Sequence, residues 1–140
     1  MARINIEFPH DKIIFETSIT VQVSDINYGN HLSNDAVLRL CQEVRMRFLK
    51  QWNYTELNIE NLGIIMADAA LVFKGEGFHG NQLTISMAID DISRVSFDLY
   101  YNIKHNEREI AIVKTAIVFF DYKLKKVSAC PAAFLSKLKT

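Results

Sequence analysis

Proline, glycine and cysteine are all scarce in this chain of 140 residues, which contains two, five and two of them. With so few chain breakers, no low-complexity stretch and no internal repeat, nothing marks a linker, and we expect one domain over residues 1–140. The two cysteines, Cys41 and Cys130, lack the CxxC spacing of redox and zinc motifs. We therefore expect two inert thiols in a reducing compartment, and no metal site.

An excess of charge of either sign is also absent, because 16 acidic and 16 basic residues cancel. A balanced surface offers no general attraction for nucleic acid or for an anionic membrane. Long hydrophobic runs are missing too, and the first twelve residues, MARINIEFPHDK, hold no apolar core of signal-peptide length. We therefore expect a cytoplasmic protein that has neither nucleic acid nor a membrane as a partner.

Regular hydrophobic patterning is what the chain does have. Residues 13–23 alternate between apolar and polar, which predicts a half-buried strand with Val23 on its apolar face. From Asn34 the apolar residues recur at helical spacing, which predicts an amphipathic helix of about 19 residues. Ser33 or Asn34 is expected to cap its start, and Asn53 to end it.

The rest of the chain is predicted to be mainly strands, with hairpin turns at residues 90–93 and 105–109 and a short helix after Pro131. The segment at 110–120 is apolar on both faces, as in an interior strand. A single long helix can cover only one face of such a sheet, so the other face or an edge is expected to find a partner chain. The four predicted strands are 64–74, 83–89, 95–103 and 110–120.

The connection VSDINYGNHLSND, residues 23–35, is dense in polar residues. Turn chemistry and helix capping alone account for such a composition. A functional interpretation rests on geometry: Asp25 and Asn27 are two apart in a segment expected to be extended, and His31 follows within the same connection. All three precede a helix N-terminus, where free N–H groups favour developing negative charge. A carboxylate, an amide, an imidazole and a helix end are the parts that acyl transfer needs.

Four ordered segments carry a resemblance to a known family: DINYGNHLSN (25–34), QEVR (42–45), GNQLTISMAIDDISRVSFDLYYNI (80–103) and KTAIVFFDYKLKKVSACP (114–131). Together they resemble the hotdog-fold acyl-CoA thioesterases of the 4-hydroxybenzoyl-CoA thioesterase type. The resemblance implies an α+β hotdog fold, a five-stranded antiparallel sheet wrapped around one long central helix. It also implies hydrolysis of an acyl-CoA to acid and coenzyme A, with no metal or redox cofactor. Such sites lie between the subunits of a homodimer or homotetramer.

The loop departs from the family pattern at one decisive position. Many members carry a D-x-D pair whose second acid is the catalytic carboxylate, and here that position is Asn27. An amide can orient water or donate to a carbonyl oxygen, but it cannot accept the proton. Asp25 is therefore the predicted base, His31 is the second candidate, and Asn27 is expected to position water or the thioester. The glycine is shifted as well: Gly29 comes one residue early, and Asn30 precedes the histidine.

Further residues are candidates for contact with the substrate: Tyr28, Gly29, Asn30, Asn34 and Asp68. Asp68 interrupts an apolar strand, so it is either a paired buried acid or a functional group, and pairing is the default interpretation. Glu43 could act from a second subunit, but Arg39 and Arg47 lie four residues away on the helix and explain it more simply as an ion-pair partner. The glycine-rich GEGFHG, residues 75–80, predicts a flexible hairpin loop at the mouth of a tunnel rather than a phosphate cradle.

Two alternatives to hydrolysis remain open at this point. Asn27 is consistent with a hotdog protein that binds acyl-CoA or another acyl thioester and has lost the chemistry. A hotdog dehydratase or hydratase would use a D-x-x-x-x-H pair, and Asp25 and His31 are one residue off that spacing.

Overall fold

A computed structural model describes residues 1–138 of the chain. It confirms the predicted long helix, the five strands and the short helix after Pro131, and adds a two-residue strand that the pattern did not predict. Single turns of 3-10 helix precede β1, at His10–Lys12, and follow it, at Val23–Asp25. The elements are β1 (Ile13–Thr20), α1 (Asn34–Lys50), β2 (Gly63–Phe73), β3 (Gln82–Asp90), β4 (Ser96–His105), β5 (Arg108–Asp121), β6 (Lys126–Val127) and α2 (Ala132–Lys137).

The strands form one antiparallel sheet in the order β1-β3-β4-β5-β2, and β6 also pairs with β5. The turns between β3 and β4 and between β4 and β5 are hairpins, as predicted, and β5 is an interior strand. The hairpin prediction for GEGFHG is wrong, because β2 and β3 are separated in the sheet by β5 and β4. This loop instead crosses over and pairs with the segment before α1, where the Leu32 N–H donates to the Gly77 carbonyl at 2.7 Å.

The first strand and the long helix each end earlier in the structure than the sequence pattern predicted. β1 ends at Thr20 because the chain turns into a 3-10 helix, and Val23 is 74% exposed instead of lying on the buried face. α1 ends at Lys50, and the chain leaves it through a turn closed by Asn53. Asn53 has a φ of +59°, in the left-handed region that asparagine tolerates at helix ends.

The core lies between α1 and the sheet, which curls around the helix. Eight residues of α1 are buried, and most of them are apolar and repeat at helical spacing. The short α2 inserts Phe134 beside Phe97 and Phe119, with ring centroids 5.8 and 5.4 Å apart, and so closes one end of the core. No helix within residues 1–138 combines the length and apolar character needed to cross a bilayer.

A β-bulge at Ala67 changes which side chains of β2 face α1. Directly opposed residues of an antiparallel pair share a face, and β2 pairs Met66 with Ile117 but Asp68 with Ala116. The α1 side of β2 therefore carries even-numbered residues before the bulge and odd-numbered residues after it. Met66 and Phe73 lie on that side yet are 47% and 49% exposed, so α1 leaves an open seam along β2. The α1 side comprises Ile64, Met66, Ala69, Leu71 and Phe73.

Replacing Phe134 with alanine should lower the free energy of unfolding by about 3–5 kcal/mol, because it leaves a cavity among packed rings. Leu57→Ala is the control, since Leu57 is 71% exposed and its truncation should change stability by less than about 0.5 kcal/mol. Urea titration measures both values. Equal stabilities for the two variants would show that α2 does not seal the core.

Candidate active site

Residues 25–33 form a narrow hydrogen-bonded hairpin directly before α1. The Ser33 N–H donates to the Asp25 carbonyl at 2.9 Å, and the Asn27 N–H donates to the His31 carbonyl at 3.0 Å. Ile26 and Leu32 form an isolated bridge between these two bonds. The arrangement holds Asn27 and His31 opposite each other and leaves the tip, residues 28–30, at the surface.

The shifted glycine of the loop is compensated by Asn30. Asn30 has a φ of +67°, a left-handed conformation that asparagine adopts more readily than most residues. The Asn30 N–H donates to the Asn27 carbonyl at 3.0 Å, which closes the turn. A Cβ at Gly29 would be in tight contact with two side chains, 3.2 Å from Asn27 Oδ1 and 3.3 Å from His31 Nε2.

Asp25 is placed differently from the expectation. It ends the 3-10 turn rather than lying in an extended segment, so the premise that Asp25 and Asn27 point the same way from one strand is wrong. Its side chain is buried, with 5% of the residue exposed. One carboxylate oxygen accepts the Gln22 N–H at 2.8 Å, and the other accepts from Arg39 Nη1 at 3.3 Å. Both oxygens therefore serve the local structure.

His31 and Asn27 meet around Gly29. Both Asn27 Oδ1 and His31 Nε2 lie within 3.3 Å of the position that a Gly29 Cβ would take. Asn27 Oδ1 already accepts the Gly29 N–H at 2.8 Å, while His31 Nδ1 lies 3.3 Å from the Leu32 carbonyl. If Nδ1 carries the proton, Nε2 is the acceptor. The half-exposed imidazole of His31 then presents an acceptor nitrogen at the hairpin.

The first turn of α1 lies immediately after this pair. Ser33 occupies the N-cap position, as predicted, but its hydroxyl donates to the Asp25 carbonyl at 3.2 Å and makes no cap bond. The Ser33 side chain therefore caps none of the first-turn amides, but the carboxylate of Asp35 lies among them: contact with the Ser33 hydroxyl, and with the Asp35 and Ala36 amides, lowers its pKa.

A cavity of about 180 Å³ opens between this helix end, β2 and the loop that follows β2. It includes His31 and Asn34 from the predicted set. Glu76 of the crossover loop is added to them, and Val37, Phe73 and Ile110 give the cavity apolar walls. The sequence analysis placed this loop at the mouth of a tunnel, and Gly75 and Glu76 line the cavity, but its pairing with the hairpin more than 40 residues away had no local signal.

A second cavity, of about 120 Å³, follows along the same seam between α1 and β2. Its polar residues were not predicted as site residues. Arg45 is buried, with 7% exposed, and its Nε donates to Glu56 Oε2 at 2.6 Å. The sequence did carry a signal for Arg45, because it is a charged residue at helical spacing between the apolar Cys41 and Phe48. The cavity is lined by Leu38, Arg39, Cys41, Gln42, Arg45, Met66 and Thr115.

Asp68 lies on the face of the sheet opposite α1, and the structure does not bring it to the loop. Its pairing is confirmed, since Lys114 Nζ lies 2.9 Å from its carboxylate, but its burial was predicted wrongly because the side chain is 61% exposed. Lys114 also approaches Asp98, whose carboxyl has a raised pKa chiefly because of burial. This ionic cluster is separate from the cavities.

The other predicted residues are at the surface. Tyr28 is fully exposed at the hairpin tip, where it has no wall of the cavity beside it. Glu43 pairs with Arg47 at 2.6 Å, one of the two partners expected for it, while Arg39 turns to Asp25 instead. Cys41 is buried, and burial raises the pKa of its thiol. Among residues 1–138, no group of histidine, cysteine and acidic side chains is arranged to hold a metal ion.

Residues 21–138 match the model of one protein family, the thioesterase-like superfamily. The chain belongs to this superfamily. The superfamily's activity class is thioester hydrolysis, and the match covers the loop, both cavities and α2. No curated protein gives a significant match.

Comparison with solved structures shows that this chain has the hotdog fold of thioesterases. A 1,4-dihydroxy-2-naphthoyl-CoA thioesterase from Synechocystis aligns with a TM-score of 0.80 at 19% identity, covering 89% of this chain and 94% of the other. A predicted thioesterase from Bacillus stearothermophilus gives 0.80 at 21% identity, with 89% and 93% coverage. A gentisyl-coenzyme A thioesterase gives 0.77 at 19% identity, with 86% and 99% coverage. At these identities the likeness establishes the fold.

Asp25→Ala should lower the free energy of unfolding by about 1–3 kcal/mol, because it removes a buried acceptor of two hydrogen bonds. Glu107→Ala, at an exposed turn position, should change it by less than about 0.5 kcal/mol. Guanidinium titration gives both numbers. A stable Asp25→Ala protein that has lost turnover would instead make Asp25 part of the chemistry.

Proposed function

We propose that the protein hydrolyses acyl-CoA thioesters at the cavity between His31 and the first turn of α1. The observation that carries this proposal is that the imidazole of His31 and the first residue of α1, Asn34, line the same cavity. Membership of the thioesterase-like superfamily supports the reaction type. The coenzyme A part is supported by two similar structures whose names specify CoA thioesters.

In the proposed reaction, a water oxygen attacks the thioester carbonyl carbon while His31 Nε2 accepts the proton of that water. The carbonyl oxygen becomes negatively charged and is stabilised by the backbone N–H of Asn34, the residue of the first turn of α1 that lines the cavity. The carbon–sulfur bond then breaks, and the thiolate of coenzyme A takes the proton back from His31. Asn27 lies opposite His31 in the hairpin, where its N–H donates to the His31 carbonyl, and its side-chain amide is the group proposed to orient the water.

His31 fits the role of base better than Asp25, which the sequence analysis had predicted as the base. Both Asp25 oxygens already accept hydrogen bonds, and the side chain is buried against Arg39. The side chain of His31 is half-exposed and lines the cavity. Asp25 then acts on the site through the shape of the hairpin, because its carbonyl accepts the Ser33 N–H that leads into α1.

A catalytically impaired acyl-thioester binding protein is the second candidate, and Asn27 favours it. The amide stands where many family members have their catalytic acid, and its oxygen is already used by the Gly29 N–H. In that case the cavities would still bind the acyl group, and only turnover would be missing. The cytoplasmic location expected from the sequence stays a prediction.

His31→Ala should lower kcat for thiol release by about 100- to 10,000-fold with a smaller change in KM, as expected for loss of a general base. The assay uses the purified protein with acyl-CoAs from acetyl to palmitoyl and benzoyl. His10→Ala is the control, because His10 is exposed in the 3-10 turn before β1, at the opposite edge of the sheet from β2.

Asn27→Asp separates the two candidate functions in the same assay. A wild-type protein that is inert on every acyl-CoA, beside an Asn27→Asp variant that gains turnover, would favour the binding protein over the hydrolase. Measurable wild-type turnover that depends on His31 supports hydrolysis.

The edge of β2 is the proposed contact between two subunits. β2 is an 11-residue edge strand without proline, and Ile65, Met66 and Phe73 expose large apolar side chains along it. A bare apolar edge of this length readily pairs with another strand. The opposite edge is better protected, since Arg47 of α1 donates to Thr17 and to the Ser18 carbonyl of β1 at 2.9 Å. A second subunit at β2 would form another wall of both cavities.

We expect a homodimer by light scattering at micromolar concentration, and Ile65→Lys should shift it toward monomer because it places a charge in the contact. Ile92→Lys adds the same charge at an exposed position between β3 and β4, neither of which pairs with β2, and should leave the dimer intact. A monomeric wild-type protein would contradict both the shared site and the homotetramer.

A further inference from the structure

The loop after β2 pairs with the segment before α1 in a defined register. His31 and Phe78 form an antiparallel bridge, and the Leu32 N–H donates to the Gly77 carbonyl at 2.7 Å. A Cβ at Gly77 would lie 3.3 Å from Leu32 Cβ, so Leu32 and Gly77 oppose each other on one face of this pair. Because side chains alternate along extended segments, His31 and Phe78 lie on the other face.

This register brings the side chain of Glu76 to the same face as His31. Glu76 is two residues before Phe78, so it lies diagonally across from His31. Diagonal neighbours of an antiparallel pair are about 7–8 Å apart, a distance that long side chains can span. Both residues line the cavity of about 180 Å³ in which the thioester is proposed to bind. Glu76 is the only acid among the described residues that line this cavity.

The backbone on both sides of Glu76 is held against neighbouring elements. On one side the Gly75 N–H donates to the Ile110 carbonyl at 3.2 Å, and a Cβ at Gly75 would lie 2.8 Å from the Glu109 carbonyl oxygen. On the other side Gly77 is buried against the hairpin that precedes α1. The two anchored glycines therefore present the Glu76 side chain from a fixed backbone, as a functional side chain requires.

The carboxylate of Glu76 is exposed and has no structural partner. Within residues 1–138 it forms no ion pair and accepts no hydrogen bond. The nearest cation along the chain, Lys74, pairs with Glu109 at 3.6 Å instead. Arg108 lies against Gly75, where its Nη1 is 2.9 Å from the position that a Cβ would take, and it too leaves Glu76 unpaired. An acid with a fixed backbone and an unpaired carboxylate is free to act on a molecule in the cavity.

We propose that Glu76 is a further catalytic residue, which holds the attacking water together with His31. The inference rests on the proposed function for the reaction and for the position of the thioester. One O–H of the water donates to His31 Nε2 and the other donates to the Glu76 carboxylate, which leaves a lone pair of the oxygen for the carbonyl carbon. Glu76 thus supplies, from the opposite side of His31, the carboxylate that the hairpin lacks at Asn27.

The two protons of the water have separate destinations in this reaction. The proton accepted by His31 goes to the thiolate of coenzyme A when the carbon–sulfur bond breaks. The second proton becomes the O–H of the acid product, and Glu76 takes it up as that acid ionises and then passes it to solvent. The products are a carboxylate, a thiol and one proton, so the step needs no reactant besides water and the thioester.

The test measures thiol release by two variants of Glu76, with the acyl-CoA that the wild type turns over fastest. Glu76→Gln should lower kcat by about 10- to 100-fold and leave KM nearly unchanged, because the amide keeps the size of the side chain but loses the charge that strengthens the bond to water. Sodium formate should restore part of the turnover of Glu76→Ala, since it places a free carboxylate where the side chain was. Glu7→Gln is the control, because Glu7 is an exposed acid before β1, at the opposite edge of the sheet from β2.

The outcomes separate this inference from the proposed function. Wild-type rates in both Glu76 variants, beside a loss of turnover in His31→Ala, would reject the role of Glu76 and retain the hydrolase. An inert wild type would reject both. Melting temperatures of the two Glu76 variants should equal that of the wild type, because the carboxylate has no partner within residues 1–138. A lower melting temperature, or a loss in Glu76→Ala that formate leaves unchanged, would make the role of Glu76 structural and overturn the inference.

Discussion

One helix has to cover the inner face of a five-stranded sheet, and the rest of the structure depends on which strands it covers and which it leaves partly exposed. α1 is tied to β1 by Arg47, whose guanidinium reaches the side chain of Thr17 and the backbone of Ser18. Held against that edge, the helix leaves the inner face of β2 partly bare. The seam and both cavities are consequences of this off-centre position, whereas the free edge follows from β2 being last in the sheet order.

The polar groups within the seam are ordered by one another rather than by solvent. Glu56 receives hydrogen bonds from both Gln42 and Arg45, and Arg45 also reaches Tyr101 across the core. Burial raises the pKa of the Tyr101 hydroxyl, which keeps it a neutral donor and acceptor beside the guanidinium. Glu56 and Arg45 are each held by two members of this network, which keeps the guanidinium at a fixed position. The hairpin before α1 achieves the same for His31 through backbone bonds.

Hydrophobic periodicity predicted the helix, the five strands and the interior position of β5, because each depends on a pattern local to its own segment. Element ends were less predictable, as Val23 shows, because an alternating pattern can continue into a turn that hydrogen bonding sets. The candidate site was found as a region, since the loop chemistry around His31 is local. Its arrangement was not: the burial of Asp25 depends on Arg39, fourteen residues on, and the wall at Glu76 depends on a crossover between distant strands. Arg45 was passed over because its ion-pair partner lies outside the helix.

The bulge at Ala67 shifts the side-chain alternation of β2 by one residue. The segment IIMADAALVF looks apolar on both faces when it is taken as one uninterrupted strand, but it is two half-strands of opposite parity joined at that residue. Asp68 is thereby turned to the outer surface, where Lys114 meets it, and the chain keeps a carboxylate out of the apolar seam without losing an apolar residue. Removing one residue at this point would exchange the two faces of half the strand, so the polarity of the seam is set by the number of residues before Asp68 as much as by their identity.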